Sequence, residues 1–392
     1  MSVSYKMRIL VGAMNLTSPL YGGGDKALID WLLDLHTMGH EISIININPQ
    51  IIKYENQLPF DFIHLLENTV WKTEDLKNET VKKHALKLIN QREEYDYYLG
   101  YGWWGAGWKQ VEKTFATVIK NQYPKIRTIN LIWDLHTLNE LDSDCEILMH
   151  GAPYHLIKHP QAPLLETKRT FLLPKQNSYQ TIDNYDITEW LSRPYDFIFN
   201  NPSIYKGSPI VINLALNFPH KKFLVKKGTW AFWDIYGWYE KWLDIMGQIS
   251  NIDIIDTVED MENDFFRKGR YLLYPSVSEG FGLMPMEAAT QGTIPICADT
   301  EILRYSSSPF AEFIYSDAYT FNPISITNGW SGGIDNIDWF GATKDWVKRI
   351  RFLDDNFKYV EILYNNLQYV ENHVELRYKR QLDNFLKDLE KF

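Results

Sequence analysis

The sequence predicts an α/β protein of two Rossmann-like domains that face each other across a cleft. Three observations predict it. Short apolar strands alternate with amphipathic helical runs, the pattern of parallel βαβ units. The pattern restarts after a Pro-containing break near residue 217. The length of 392 residues accommodates two such domains.

The first half opens with a strand, Met7 to Ala13. A Gly-rich loop follows, Leu20-Tyr21-Gly22-Gly23-Gly24-Asp25. Then comes an amphipathic helix from Ala27 to Met38, with apolar residues at 28, 29, 32, 33 and 35, which stops at Gly39. Glu41 to Ile47 reads as the second strand. Tyr95 to Gly100 and Arg127 to Trp133 are further strands, and the latter leads into Asp134-Leu135-His136. Between about 140 and 190 the chain reads as an insertion with little regular sheet, broken by Pro153, Pro160, Pro163 and Pro174. Tyr195 to Asn201 reads as the last strand of this half. Val211 to Leu216, ending in Asn217-Phe218-Pro219, reads as the crossing between domains.

The second half restarts at Phe223-Leu224-Val225. A helix over about Trp233 to Ile249, a strand at Ile252 to Asp256 and a helix at Met261 to Lys268 follow. Tyr271 to Pro275 is a strand end, a helix starts near Met284, and Thr293 to Cys297 is a strand. Charged helices over about 342 to 391 close the chain. The expected division is 1–216 and 217–371, with a terminal helix, 372–392, packing back on the first domain.

Composition narrows the function. The chain is 45% hydrophobic and 23% charged, as soluble globular proteins are. A net charge of −10 argues against a general nucleic-acid coat. The aromatic share of 15% is high, and aromatic faces either stack on ligands or fill cores. Two cysteines, Cys145 and Cys297, provide neither a disulfide framework nor a zinc spacing, which fits a reducing cytoplasm and no metal site. Met1 to Lys6 is too short and polar for a signal peptide, and no apolar run is long enough to span a bilayer, so no integral membrane contact is expected.

The strongest local pattern is Pro275-Ser276-Val277-Ser278-Glu279-Gly280-Phe281-Gly282-Leu283-Met284-Pro285-Met286-Glu287. It follows a strand, where ligands bind in open α/β sheets. Gly280 and Gly282 let backbone approach a ligand closely. Pro285 suits the first turn of a helix, whose free N–H groups can hold a phosphate. Carboxylates beside a phosphate make sense where they accept hydrogen bonds from sugar hydroxyls. The alternative is a glycine-turned loop with a solvated helix start. Glu279 and Glu287 stand eight positions apart, so loop and helix can present both to one ligand.

This string resembles the E-x₇-E signature of retaining glycosyltransferases of the GT-B fold. The resemblance implies that Glu279 lies near the donor sugar, that Glu287 binds the nucleotide ribose, and that Gly280, Phe281, Gly282 and Leu283 contact the donor. It implies transfer from a nucleoside diphosphate sugar, UDP-linked in the leading reading, without an enzymic nucleophile and without a tightly bound cofactor. The leaving diphosphate then takes the acceptor proton, and cations must stabilise its charge. The family carries an Arg and a Lys after the first strand of the second domain. Taking that strand as Phe223-Leu224-Val225 makes Lys226 and Lys227 the candidates, with plain surface lysines as the alternative.

In the first half, Gly23 and Gly24 resemble the family loop that approaches the donor phosphates. A nicotinamide-binding fingerprint needs G-x-G-x-x-G directly after the strand and an acidic end to the second strand; Asn46-Ile47-Asn48 provides none. Asp134 and His136 follow a strand end, and the family places such a residue near the reacting centre, where His136 could orient a hydroxyl. A satisfied loop histidine is the alternative. Tyr101-Gly102-Trp103-Trp104-Gly105 could form a stacking wall or pack in the core.

For the acceptor, Leu216-Asn217-Phe218-Pro219, Thr229-Trp230, Glu240-Lys241-Trp242 and Gly292-Thr293-Ile294-Pro295 resemble the T-even phage α-glucosyltransferases that modify hydroxymethylcytosine. That implies double-stranded DNA with hydroxymethylated bases as partner, in a host cytoplasm. Each DNA phosphate contact needs a cation or polar donor. Lys168-Arg169, Lys221-Lys222, Lys226-Lys227 and Arg377-Tyr378-Lys379-Arg380 are the available basic clusters. A glycan or lipid-linked acceptor is the alternative, and a non-catalytic nucleotide-sugar-binding protein is the rival of another class.

Overall fold

The computed structural model describes residues 6–14, 23–46, 58–64, 83, 86–87, 89–90, 94–101, 116–132, 144–149, 169–173, 181–228, 238–256, 258, 260–277, 279, 282–308, 310–319, 337–370 and 382–387. The chain divides into two compact units, Met1–Ser178 with Leu376–Phe392, and Tyr179–Glu375.

Unit 1 holds β1 (Arg8–Met14), α1 (Gly23–Thr37), β2 (Glu41–Asn46), β3 (Asp61–His64), β4 (Tyr97–Tyr101), β5 (Arg127–Ile132), β6 (Cys145–Met149) and β7 (Arg169–Leu173). All seven strands pair in parallel, in the order β3-β2-β1-β4-β5-β6-β7. Helix α1 buries Leu28, Ile29, Trp31, Leu32 and Leu35 against Ile9, Val11, Ile42 and Ile44. That spacing covers one helical face, which explains why this segment is a helix rather than a strand. Leu382 and Phe385 belong to the same core, and the Phe385 ring lies 5.8 Å from Trp31.

Two expectations fail here. The region 140–190, expected to be an insertion with little regular sheet, contributes β6 and β7 to the first sheet. Its prolines hide two strands only five residues long. Tyr195–Asn200 is not the last strand of the first half. It is one of the two central strands of the second sheet.

Unit 2 holds α2 (Ile187–Ser192), β8 (Tyr195–Asn200), α3 (Ser208–Asn217), β9 (Phe223–Lys226), α4 (Trp238–Gly247), β10 (Ile252–Ile255), β11 (Gly269–Tyr274), α5 (Leu283–Thr290), β12 (Ile294–Ala298), α6 (Glu301–Ser307), β13 (Glu312–Ile314), α7 (Trp339–Asp355) and α8 (Phe357–Asn366). Its parallel strands run β10-β9-β8-β11-β12-β13. That is the 3-2-1-4-5-6 order of a Rossmann sheet, reversing direction between β8 and β11.

The segment read as a domain crossing, Val211 to Leu216, lies inside α3, the helix joining β8 to β9. Gly207 starts it in the left-handed region and Pro209 sits in its first turn. Buried Arg193 locks the opposite end of the sheet. Its guanidinium donates to the carbonyls of Gly269 and Gln291 and to Thr293 Oγ1 at 2.7–2.9 Å. Burial holds its pKa down at about 10, so it stays charged at neutral pH. No described helix is long and apolar enough to cross a membrane.

Candidate functional site

At the reversal point, neighbouring strands send their loops in opposite directions and open a crevice at their carboxyl ends. Here those loops are Asn201–Gly207 after β8 and Pro275–Gly282 before α5. They are tied together. Val277 N–H donates to Tyr205 O at 3.1 Å, and Ser276 Oγ donates to the same carbonyl at 3.3 Å. Gly207, at φ 78°, packs so closely that a Cβ would stand 2.5 Å from Pro275 O. Only glycine meets both conditions.

Lys206, on the first loop, forms an ion pair with Glu279 on the second. The side chains are 24% and 10% exposed, so the pair is largely withdrawn from water. Lys206 Nζ also lies 5.5 Å from the centre of the Tyr274 ring. Tyr274 ends β11 and is buried beneath this pair. Burial pushes its phenol well up, and the carboxylates of Glu279 and Glu287 add to the effect. Both carboxylates thus act on Tyr274, Glu279 from the loop and Glu287 from the buried part of α5. Gly282 caps α5 at φ 79° with no side-chain cap bond, and a Cβ there would meet Leu303 at 2.5 Å. Leu283 and Met284 thus begin α5 with main-chain N–H groups of the kind that hold anions.

The two lysines chosen from sequence differ sharply. Lys226 ends β9 in register with Asn200 and is buried. Its Nζ donates to Lys227 O at 2.9 Å, and burial lowers its pKa to about 8. Lys227 points outward and pairs with Asp256 at 2.7 Å. The following Gly228 packs on Asn201, where a Cβ would stand 2.1 Å from Oδ1, and Asn201 itself takes φ 58°. Lys226 thus belongs to the same carboxyl edge as Lys206.

Because β8 is the first strand of unit 2, the loop that follows the first strand is Asn201–Gly207. Lys226 and Lys227, expected to follow the first strand of the second domain, follow its second strand β9, whereas Lys206 follows the first. Its signal was present: a strand, then Asn200-Asn201-Pro202, then Lys206-Gly207 before a Pro-started helix.

Unit 2 therefore gathers Glu279, Gly282, Leu283 and Glu287, with Lys206 and Lys226 at the same strand ends. Gly23 and Gly24 form the first turn of α1 in unit 1. Asp134, His136, Gly280 and Phe281 lie outside the described residues, as do Gly22, Trp103 and Trp104. Among the described residues no group of three or more metal ligands occurs. Of the basic clusters, Lys221 pairs with Asp354 at 2.5 Å and Asp196 at 3.7 Å. Lys168 and residues 377–380 are outside the described set.

No family model and no curated protein matches the chain. Solved structures do match over its whole length. The catalytic domain of starch synthase IV from Arabidopsis thaliana, bound to ADP and acarbose, is 11% identical, with a TM-score of 0.67 over 97% of this chain and 100% of that one. HepE from Anabaena, in complex with UDP and glucose, is 12% identical with a TM-score of 0.65, covering 97% and 99%. The pneumococcal O-GlcNAc transferase GtfA, with UDP and GlcNAc, is 11% identical with a TM-score of 0.62, covering 99% of each. At these identities the likeness establishes the fold, two Rossmann-like domains of the GT-B type.

Proposed function

We propose that this chain is a glycosyltransferase that moves a sugar from a nucleoside diphosphate sugar, UDP-linked, to a hydroxyl acceptor with retention of anomeric configuration. The observation that carries the reading is the convergence of Lys206, Glu279 and Glu287 at the reversal point of the second sheet. A diphosphate fits between the Lys206 ammonium and the amide-bearing start of α5. Glu287, buried one turn into α5, accepts from the ribose hydroxyls. Glu279, once released from Lys206, accepts from the donor sugar. The three solved structures, each holding a nucleoside diphosphate together with a sugar or sugar analogue, support a donor of this class.

In this scheme the bond from the anomeric carbon to the diphosphate oxygen breaks as the acceptor oxygen attacks from the same face. The leaving oxygen takes the acceptor proton, and Lys206 with the α5 amides holds the negative charge that remains. Lys226, buried at the end of the neighbouring strand β9, adds positive potential below pH 8. Asp134 and His136 stay proposals for orienting the acceptor.

A carbohydrate hydroxyl is the acceptor this reading favours. Two of the basic side chains available for DNA, Lys221 and Lys227, already neutralise carboxylates. A hydroxymethylated pyrimidine in phage DNA remains the acceptor suggested by the motif similarities, and one screen separates the two. Labelled UDP-sugars are offered to the protein with neutral oligosaccharides, hydroxymethylated DNA and ordinary DNA. Label in an oligosaccharide supports the carbohydrate reading, and label in hydroxymethylated DNA alone replaces it. Donor binding without transfer to any acceptor, or hydrolysis, would leave a nucleotide-sugar-binding protein.

A further inference from the structure

A polar cavity lies within unit 2, built from the chain preceding α2, the end of α8 and the 3₁₀ turn that follows it. Its volume is about 290 Å³, and Thr181, Asp183, Asn184, Tyr185, Asn365 and Gln368 line it. That volume is at the lower end for ligand pockets, roughly 300 Å³, and suits one small ring rather than a nucleotide.

The walls are held firmly. Ile182 N–H donates to Thr290 O at 2.9 Å, and Tyr185 OH donates to Ala289 O at 3.2 Å. On the other side, Tyr364 OH donates to Asp186 O at 3.1 Å, and its ring lies 6.0 Å from that of Tyr185. The polar lining is, by contrast, unspent. The side chains of Thr181, Asp183, Asn184, Asn365 and Gln368 make no hydrogen bond to any described residue.

The lining chemistry selects a ligand class. Three carboxamides and a hydroxyl both donate and accept, as every hydroxyl of a sugar does. No lysine or arginine is among the lining residues, so a phosphate would find no counter-charge. One carboxylate among amides is no cation cage, and no group of three metal ligands exists among the described residues. An apolar ligand would leave these groups desolvated and unpaired.

We propose that this cavity is a second, noncatalytic binding site for a neutral saccharide, either a free monosaccharide or one unit of a glycan. It stands apart from the proposed donor site, because its lining residues lie on other segments than the loops that carry Lys206 and Glu279. It adjoins the carboxyl end of α5, whose amino end belongs to the donor site. A glycan held here would keep the protein on its polymer between transfers.

The test uses the full chain saturated with UDP, and variants of the cavity separate saccharide held here from any sugar held beside UDP at the proposed donor site. Saturation-transfer NMR follows glucose, N-acetylglucosamine and a neutral glucose oligosaccharide, with inorganic phosphate as the contrasting probe. The expected result is saturable saccharide binding with a dissociation constant on the order of 1 mM. Asn365→Leu with Gln368→Leu should weaken it about tenfold or more, with UDP affinity unchanged by calorimetry. Both side chains are exposed, so folding is preserved; Asp183→Ala, on the opposite wall, is the second variant should the first misfold. Saccharide binding that is absent, or unaltered in the variants, overturns the proposal, and so does a site that takes phosphate in preference to sugar. Loss of UDP binding in the wild type would instead count against the donor reading alone.

Discussion

Replacing Glu279 by Gln should tighten UDP binding, although Glu279 belongs to the proposed donor site. In the ligand-free protein the Glu279 carboxylate occupies the Lys206 ammonium, so a diphosphate must displace it. Two unit charges about 4 Å apart attract by about 4 kcal/mol at an effective dielectric constant near 20. Side-chain ordering and hydration reduce fully exposed pairs to about 1 kcal/mol or less. With Glu279 at 10% and Lys206 at 24% exposure, this pair lies above that surface value. A net worth of roughly 1–2 kcal/mol makes the displacement worth about 5- to 30-fold in affinity.

Glutamine keeps the shape and the hydrogen-bonding oxygen but removes the charge. Calorimetric titration with UDP, which lacks the sugar that Glu279 is proposed to bind, isolates the competition. The effect must vanish in a Lys206→Ala background, because a double-mutant cycle reports the pair and nothing else. Transfer from the complete donor should fall in the same variant, since a neutral amide is a weaker acceptor for the sugar hydroxyls. Unchanged or weaker UDP binding by Glu279→Gln, or an equal gain without Lys206, would refute the exchange of partners.

Other outcomes follow from the same geometry. Lys206→Ala should weaken UDP about 10- to 100-fold through loss of a charge-assisted contact, measured by calorimetry. Glu287→Ala should weaken UDP by about tenfold, because a buried ribose hydroxyl loses its acceptor; unchanged affinity removes the assignment. Gly207→Ala should destabilise the fold by at least about 1–3 kcal/mol in denaturant titration, since its φ of 78° and its contact with Pro275 O both oppose a Cβ. Lys226, with its pKa lowered by burial to about 8 against an unfolded value of 10.5, binds fewer protons when folded. Its burial therefore costs stability below pH 8, and stability is regained as pH rises from 8 to 10.5, by up to about 3 kcal/mol. Lys226→Met should abolish that rise, and the lysine's help to UDP binding should fade over the same alkaline range.

Sequence pattern reveals a strand better than it reveals the sheet to which the strand belongs. The run Tyr195 to Asn200 is recognisable as a buried parallel strand, with Phe197, Ile198 and Phe199 inside. Nothing in six residues says which neighbours it will pair with, because parallel strands buried on both faces look alike in either domain. The helix after it added to the error. In α3, Ile210, Val211, Ile212, Leu214 and Ala215 are all buried, so no polar stripe marks a helical period. A short apolar run of this kind reads equally as strand or core helix. Residues 145–149 and 169–173 escaped for a related reason: five-residue strands between prolines lack the length to stand out.

The string proposed as the donor site was legible because its constraints are local. A strand end, a left-handed glycine at a helix start and a carboxylate one turn into that helix all fall within a stretch of sequence whose spacing dictates their geometry. Lys206 was not legible because its meaning is topological. It becomes a candidate for the proposed site only when β8 stands beside β11, and that adjacency comes from the 3-2-1-4-5-6 order rather than from any motif. With β8 in unit 2, the proposed site keeps Lys226 of the two expected lysines and takes Lys206, shielded and tied to Glu279, in place of Lys227, which is more exposed and tied to Asp256. The two assignments differ in a measurable way. Lys227→Ala should leave UDP affinity within about twofold, as removal of a surface ion pair does, whereas Lys206→Ala should not. A large loss at Lys227 with none at Lys206 would return the site to the second strand and undo the topological reading.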